Sequence, residues 1–172
     1  YNSEGICQWA QRIYGNYDVF ILSLEVDNNN NVYLAGQSLS SILYFNNGIS
    51  LTSNSYQQGF LAKYNSEGIC QWAQFVADDS SVTTAFKIKV DSDGNLILAG
   101  EFYESTIHFN NNISLNVNGQ NNAYIAKYNS DGICQWAQSV TGDSVNLLRD
   151  LDIDNDNNVY TLGLFMSDTI IF

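Results

Sequence analysis

The sequence has little positive charge. Six Lys and Arg stand against 18 Asp and Glu, a formal net charge of −12 over 172 residues. Nucleic-acid and anionic-membrane binders need a basic face, so this balance argues against both partner classes. Long apolar runs are also missing. None approaches the roughly 20 residues of a membrane-spanning helix, and no N-terminal segment reads as a signal peptide. There is a single histidine, His108, so any Ser/His/Asp or Cys/His mechanism would rest on it alone, and no nucleophile motif lies beside it. The three cysteines form no Cys-x-x-Cys pair and no Cys/His ligand set, which removes the usual zinc patterns. No glycine-rich phosphate loop is present. Proline is absent, and the turns are carried by Gly, Asn and Asp. The chain opens on Tyr1 rather than Met, which reads as a fragment or a processed piece.

What is present is a repeat. Apolar residues make up 45% and aromatics 13%, enough for a packed core despite the Asn runs. The block Tyr1-Asn2-Ser3-Glu4-Gly5-Ile6-Cys7-Gln8-Trp9-Ala10-Gln11 recurs unchanged from Tyr64 to Gln74, and again from Tyr128 to Gln138 with Asp131 for Glu. A second block, Asp27 to Gly36, matches Asp91 to Gly100 and Asp154 to Gly163. A third, nine residues on, ends in Phe45, Phe109 and Phe172, and a fourth pairs Gly59–Tyr64 with Ala123–Tyr128. Self-similarity spaced by 63 to 64 residues means an array of one supersecondary unit.

Each unit reads as four strands: Val19 to Val26, Val32 to Gly36, Phe60 to Tyr64 and Ile69 to Val76 in the first complete copy. Asp27 to Asn31 and Asn65 to Gly68 are the turns. The long connector, with Ile42 to Phe45 and Ile49 to Leu51 about Asn46-Asn47-Gly48, reads as an extra hairpin or excursion. No helical period with caps appears. The strands carry apolar residues on both faces, as in Ile6-Cys7-Gln8-Trp9-Ala10 and Leu96-Ile97-Leu98-Ala99. Antiparallel strands buried on both faces fit small four-stranded sheets stacked about an axis, whereas a sandwich leaves one face polar. The expected fold is therefore all-β, a fragment of a β-propeller built from four-stranded antiparallel blades. Residues 1–11 would be the last strand of an absent blade, 19–76 and 82–140 two blades, and 147–172 the first half of another. A ring needs about four to eight blades, so the segment reads as part of a longer repeat protein, with association between copies as the alternative.

The ordered blocks Asp-x-x-Gly/Asn-Asn-Val-Tyr-x-x-Gly and Phe-Leu-Ala-Lys-Tyr-Asn-Ser-Glu-Gly-x-x-x-Trp-Ala resemble the SBBP family, named for a seven-bladed β-propeller repeat. The resemblance runs through two full copies and a partial third. It implies a propeller from a large secreted or surface protein, and no single activity. The long Gln37–Gln58 connector and the cysteine in each unit depart from a compact blade.

The candidate chemistry is concentrated in the acidic turns. Asp27/Asn29/Asn31, Asp91/Asp93/Asn95 and Asp154/Asp156/Asn158 place oxygens at alternate positions, and Asp152 extends the third set. Asp152, Asp154, Asp156 and Asn158 are thus candidate Ca²⁺ ligands, although Gly163 stands where a bidentate Glu would be needed. The competing role of such turns is to brace a hairpin through its own N–H groups. Cys7, Cys70 and Cys134 share one strand position, read as small buried apolar residues without disulfide partners. Three unpaired thiols argue weakly against the extracellular setting that the resemblance favours. Trp9, Trp72 and Trp136 read as packing anchors. Lys63 and Lys127 should snorkel at strand ends or pair with the acidic turns. Glu101 and Glu104 occupy positions that differ between units, where a paired-carboxylate hydrolase could in principle sit. Asn112-Ile113-Ser114 is a lone glycosylation sequon.

The expected function is a non-enzymatic structural or protein-interaction propeller, a segment of a larger secreted, surface or virion-type repeat protein with no cofactor. Its partners would be proteins or neighbouring blades, with no nucleic acid and no membrane insertion. The alternative is a ligand-binding module for Ca²⁺ or glycans on the repeated Asp/Asn loops.

Overall fold

A computed structural model describes residues 1–78, 82–103, 106–116, 122–142 and 144–171. The described residues form strands and no helix. A two-residue stub, β1 (Tyr14–Gly15), precedes the hairpin of β2 (Val19–Val26) and β3 (Val32–Ser38). The connector folds into β4 (Ile42–Tyr44) and β5 (Ser50–Thr52), and β6 (Gln58–Tyr64) with β7 (Cys70–Phe75) completes the unit. The second unit repeats this with β8 (Lys87–Val90), β9 (Leu96–Phe102), β10 (Thr106–His108), β11 (Ser114–Asn116), β12 (Asn122–Tyr128) and β13 (Cys134–Gly142). The third contributes β14 (Asn146–Ile153), β15 (Val159–Phe165) and β16 (Ile170–Ile171).

The main sheets are antiparallel and open. β2-β3-β6-β7 form the first, and β8-β9-β12-β13 form the second, with β16 added beyond β13. The second sheet is therefore five-stranded rather than four. The tail of β13, Thr141–Gly142, leaves its own unit to pair with Ile171 and Ile170. Tyr14–Gly15 does the same with β4, pairing with Tyr44 and Leu43. The connector is an extra hairpin in both complete copies, β4–β5 and β10–β11. Residues 1–11 do not form a strand: a turn spans residues 3–5, and the rest of that stretch has no ladder partner among the described residues.

Alternation along the strands divides side chains between successive cores. In the first sheet, Tyr33, Ala35 and Leu61 join the core shared with the second sheet. Their neighbours Val32, Phe60, Ala62 and Tyr64 face the opposite core, against Trp9 and Ile13. In the second sheet Leu96, Leu98, Tyr124 and Ala126 face back toward the first. Ile97, Ala99 and Ala123 face forward onto Leu148 and Leu151 of β14. A strand with a period of two and a core on each side is what stacked blades require. The outermost strands are less well covered. Ile21, Leu22, Leu24 and Val26 of β2 and Tyr160, Leu162 and Leu164 of β15 are exposed.

Candidate functional site

Three acidic hairpin turns come together at one end of the stacked inner strands. Asp27, Asp91, Asp93 and Asp154 help line a cavity of about 410 Å³ between them. Each turn is built the same way. Asp27 Oδ1 accepts the N–H groups of Asn29 and Asn31 at 2.8 and 2.9 Å, and its Oδ2 accepts Asn31 Nδ2 at 2.8 Å. Asp91 takes the N–H groups of Asp93 and Asn95, and Asp154 those of Asp156 and Asn158. The Asp side chain thus satisfies donors that a tight turn leaves unpaired. Asn30 and Asn157 adopt φ of 61° and 63° in the first and third turns, and the second turn has Gly94 at 80° in that place.

The second carboxylate oxygen shows a substitution pattern. Tyr33 and Tyr160 donate their hydroxyls to Asp27 and Asp154 at 3.3 and 3.0 Å. The second unit has Ile97 at that position, and there Lys127 Nζ pairs with Asp91 Oδ2 at 2.7 Å. Lys63 instead stands over the Tyr33 ring and donates to the Ser130 carbonyl at 3.2 Å. Lys127 thus pairs with an acidic turn as expected, whereas Lys63 turns to a ring and to a backbone carbonyl of the next unit. Burial alone would raise the Asp91 carboxyl, but the bonds from Lys127 and Asn95 outweigh it and hold the pKa below its ordinary value. Asp27 is lowered against burial by Asn31, Asn29 and Tyr33. Asp154, half-buried, is lowered chiefly by the Asn158 side chain.

The four candidate metal ligands have separate surroundings. Asp152 Oδ1 lies 3.5 Å from Lys89 Nζ, which also pairs with Glu25 at 2.9 Å. Asp154 and Asn158 are brought together, but the Asn158 side chain turns its amide nitrogen to Asp154 Oδ2 at 2.9 Å, so a donor occupies that oxygen. Asp156 is exposed and contributes its N–H to the turn. Among the described residues no group of three or more His, Cys, Asp or Glu is placed to hold a metal ion.

A second cleft, of about 360 Å³, is lined by Leu22, Gln37, Thr84, Phe86, Glu101, Leu148 and Arg149. Burial raises the Glu101 pKa, with Arg149 and Tyr103 opposing it. Glu104, its suggested partner, lies outside the described residues. His108 is exposed on the β10–β11 hairpin, away from the residues lining that cleft. Asn112 is exposed in the turn of the same hairpin. Cys70 and Cys134 are buried, and burial pushes both thiols up to about 11. Cys7 departs from the expected burial: it is exposed, because residues 1–11 have no sheet around them.

The tryptophans link successive units. Trp9 Nε1–H donates to the Ser66 carbonyl at 3.0 Å, and Trp72 Nε1–H to the Ser130 carbonyl at 3.2 Å. Ser66 and Ser130 hold the same place in the Asn-Ser-Glu/Asp-Gly turn. That turn is braced by its own Asn, as Asn65 Oδ1 accepts the N–H groups of Glu67 and Ile69 and Asn129 those of Asp131 and Ile133. Sequence reasoning missed a second brace. Asn46 donates to the Gly68 carbonyl and accepts the Cys70 N–H, at 2.6 and 2.7 Å. Asn110 makes the same pair of bonds with Gly132 and Cys134. The doubled Asn after Phe45 and Phe109 was the visible signal.

No family model matches the chain. It is similar to "Uncharacterized WD repeat-containing protein L264" of Acanthamoeba polyphaga mimivirus, 24% identical over 200 aligned residues. The match takes in 99% of this chain and 14% of that protein's length. The repeat-containing relative and the open antiparallel sheets both fit a β-propeller-like repeat.

Proposed function

We propose that the chain is a segment of a non-enzymatic, β-propeller-like scaffold that binds protein partners. The observation carrying this reading is the composition of the Glu101 cleft. Leu22, Phe86 and Arg149 hold one repeat position, and Gln37 and Glu101 hold another. These residues differ from unit to unit, while the recurring Asp and Asn side chains around the turns bond within the framework. An invariant frame that displays variable side chains suits recognition of a protein surface more than a shared chemistry. The resemblance to a WD repeat-containing protein supports the same reading. We further place the chain in a large secreted, surface or virion-type protein, of the SBBP repeat type; the much longer viral relative supports the large parent.

The test is capture of protein partners by the folded chain, compared with Phe86→Ala, Glu101→Gln and Arg149→Ala. Loss of capture at unchanged melting temperature is the expected result. Recovery of no partner and no assembly by the parent chain contradicts it.

A second reading, a Ca²⁺- or glycan-binding module, is favoured by the convergence of three acidic turns on one cavity. Its Ca²⁺ form uses Asp152, Asp154, Asp156 and Asn158 and would have to displace the Lys89 and Asn158 donors. Calorimetry decides it: no heat and no thermal shift with Ca²⁺ rule the metal form out.

A further inference from the structure

Trp136 is the third member of the tryptophan series, and it is placed differently from the other two. Trp9 and Trp72 each cover the Asn-Ser-Glu/Asp-Gly turn of the following unit and donate to its serine carbonyl. Gly68 shows how close this seat is: at φ of 75°, a Cβ added there would lie 2.6 Å from the Trp9 ring. Beside the Trp72 seat, Gln74 Nε2 donates to the Gly132 carbonyl at 2.7 Å. The equivalents of Trp72 and Gln74 one unit later are Trp136 and Gln138. Both are exposed, Trp136 to 36%, and neither the Trp136 indole N–H nor the Gln138 side chain has a hydrogen-bond partner among the described residues. The strand that carries them is as well formed as its predecessor, pairing from Tyr128–Cys134 through Ala123–Val140.

We infer that Trp136 and Gln138 form a docking seat for the closing half of a unit of this same repeat, and that the seat takes the Asn-Ser-Glu/Asp-Gly turn of that half. The occupant follows from continuity with an interface occupied twice within the chain. In each occupied case the donors are an indole N–H and, at the second, a glutamine amide. The acceptors are the serine carbonyl and, at the second seat, the glycine carbonyl of a turn braced by its own Asn, and that glycine oxygen also accepts Asn110 Nδ2. A buried indole needs such an acceptor, and a turn with Gly at positive φ lets the ring lie flat against its backbone. The inference deepens the scaffold reading and rests on its premise that units of this kind stack.

The experiment compares the chain with a version extended by half a unit, enough to supply the turn and its two strands to the third copy. Phe172 aligns with Phe109, so residues 110–140 appended directly after Phe172 continue the repeat in register. The chain has three tryptophans, so three indole N–H signals report on the seats of the parent. In the parent chain the Trp136 indole should exchange with solvent faster than those of Trp9 and Trp72. In the extended chain its protection should rise about tenfold or more. Trp136→Phe should leave the melting temperature of the parent chain within about 1 °C, while Trp72→Phe lowers it by about 4 °C or more. An appended segment that folds while Trp136 still exchanges freely overturns the seat and leaves the stacking premise standing. An appended segment whose own amides remain unprotected overturns both. A loss of stability in the parent Trp136→Phe equal to that of Trp72→Phe also overturns the seat, since the ring would then serve its own sheet.

Discussion

Asp91 is the residue whose environment is most constrained. Its carboxylate is nearly buried and holds a turn with one oxygen and an ammonium with the other. Removing a cation from a buried pair leaves an uncompensated charge, at a cost of about 3 kcal/mol. Lys127→Met should therefore destabilise the chain by about that amount at neutral pH, as read by denaturant unfolding. The pH dependence has a definite sign. The folded-state pKa of Asp91 lies below the ordinary carboxylate value, so its contribution is complete above that value and is lost as the pH falls through the depressed one. Asp27 and Asp154 act in the same direction. Stability should hold from pH 7 toward the ordinary carboxylate range and fall below it. In Lys127→Met the Asp91 carboxyl keeps only its turn donors against burial, so the decline should begin at higher pH. An unchanged acid profile in that variant would show that the ion pair does not set it.

Single elements depend on bonds that cross between turns. Asn110 joins the β10–β11 hairpin to the turn before β13 by donating to Gly132 and accepting from Cys134. Asn110→Ala takes the acceptor from the part-buried Cys134 N–H, while the Gly132 carbonyl keeps Gln74, for an expected loss of about 1–3 kcal/mol. Chemical denaturation of that variant, beside Ser114→Ala on the exposed strand of the same hairpin as a neutral control, checks the figure. This brace also marks where sequence reading stopped. Strand positions were legible because alternation in Leu96–Ala99 and the Asp-Asn turns act over a few residues. The connector was legible as a hairpin for the same reason. The bonds of Asn46 and Asn110 reach 22 to 24 residues along the chain, and those of Trp9 and Trp72 reach 57 and 58. No local period encodes which carbonyl they will meet. The fifth strand of the second sheet was hidden likewise, since Thr141–Gly142 continues β13 in sequence but pairs with the next unit in space. In the acidic turns the residues alone left two uses open, and the surrounding donors decide how the oxygens are occupied. Asp152 shows this best: it reads as the start of a ligand run, yet it shares a repeat position with Glu25 and Lys89 and pairs across to that lysine.

At the scale of the whole molecule, stability should propagate from unit to unit because each middle strand feeds two cores. Repeat proteins of this kind gain their stability from neighbouring interfaces as well as from each unit alone. The end sheets have only one such interface, and β2 and β15 leave apolar side chains in solvent. Unpaired, apolar sheet surfaces invite association. Concentration-dependent self-association by light scattering is expected, and Leu24→Lys with Leu162→Lys should reduce it without lowering the melting temperature. Unaltered association in that double variant would place the contact elsewhere.

The measurement that most directly tests the stacked-unit account is amide hydrogen exchange on Leu61→Ala. Leu61 is fully buried in the core between the first and second sheets, and its truncation should cost about 2–5 kcal/mol. If successive units share that core, protection should fall together in β6 of the first sheet and in β8 and β9 of the second. A loss of protection confined to β2, β3, β6 and β7, with the second sheet exchanging as in the parent chain, would contradict the account.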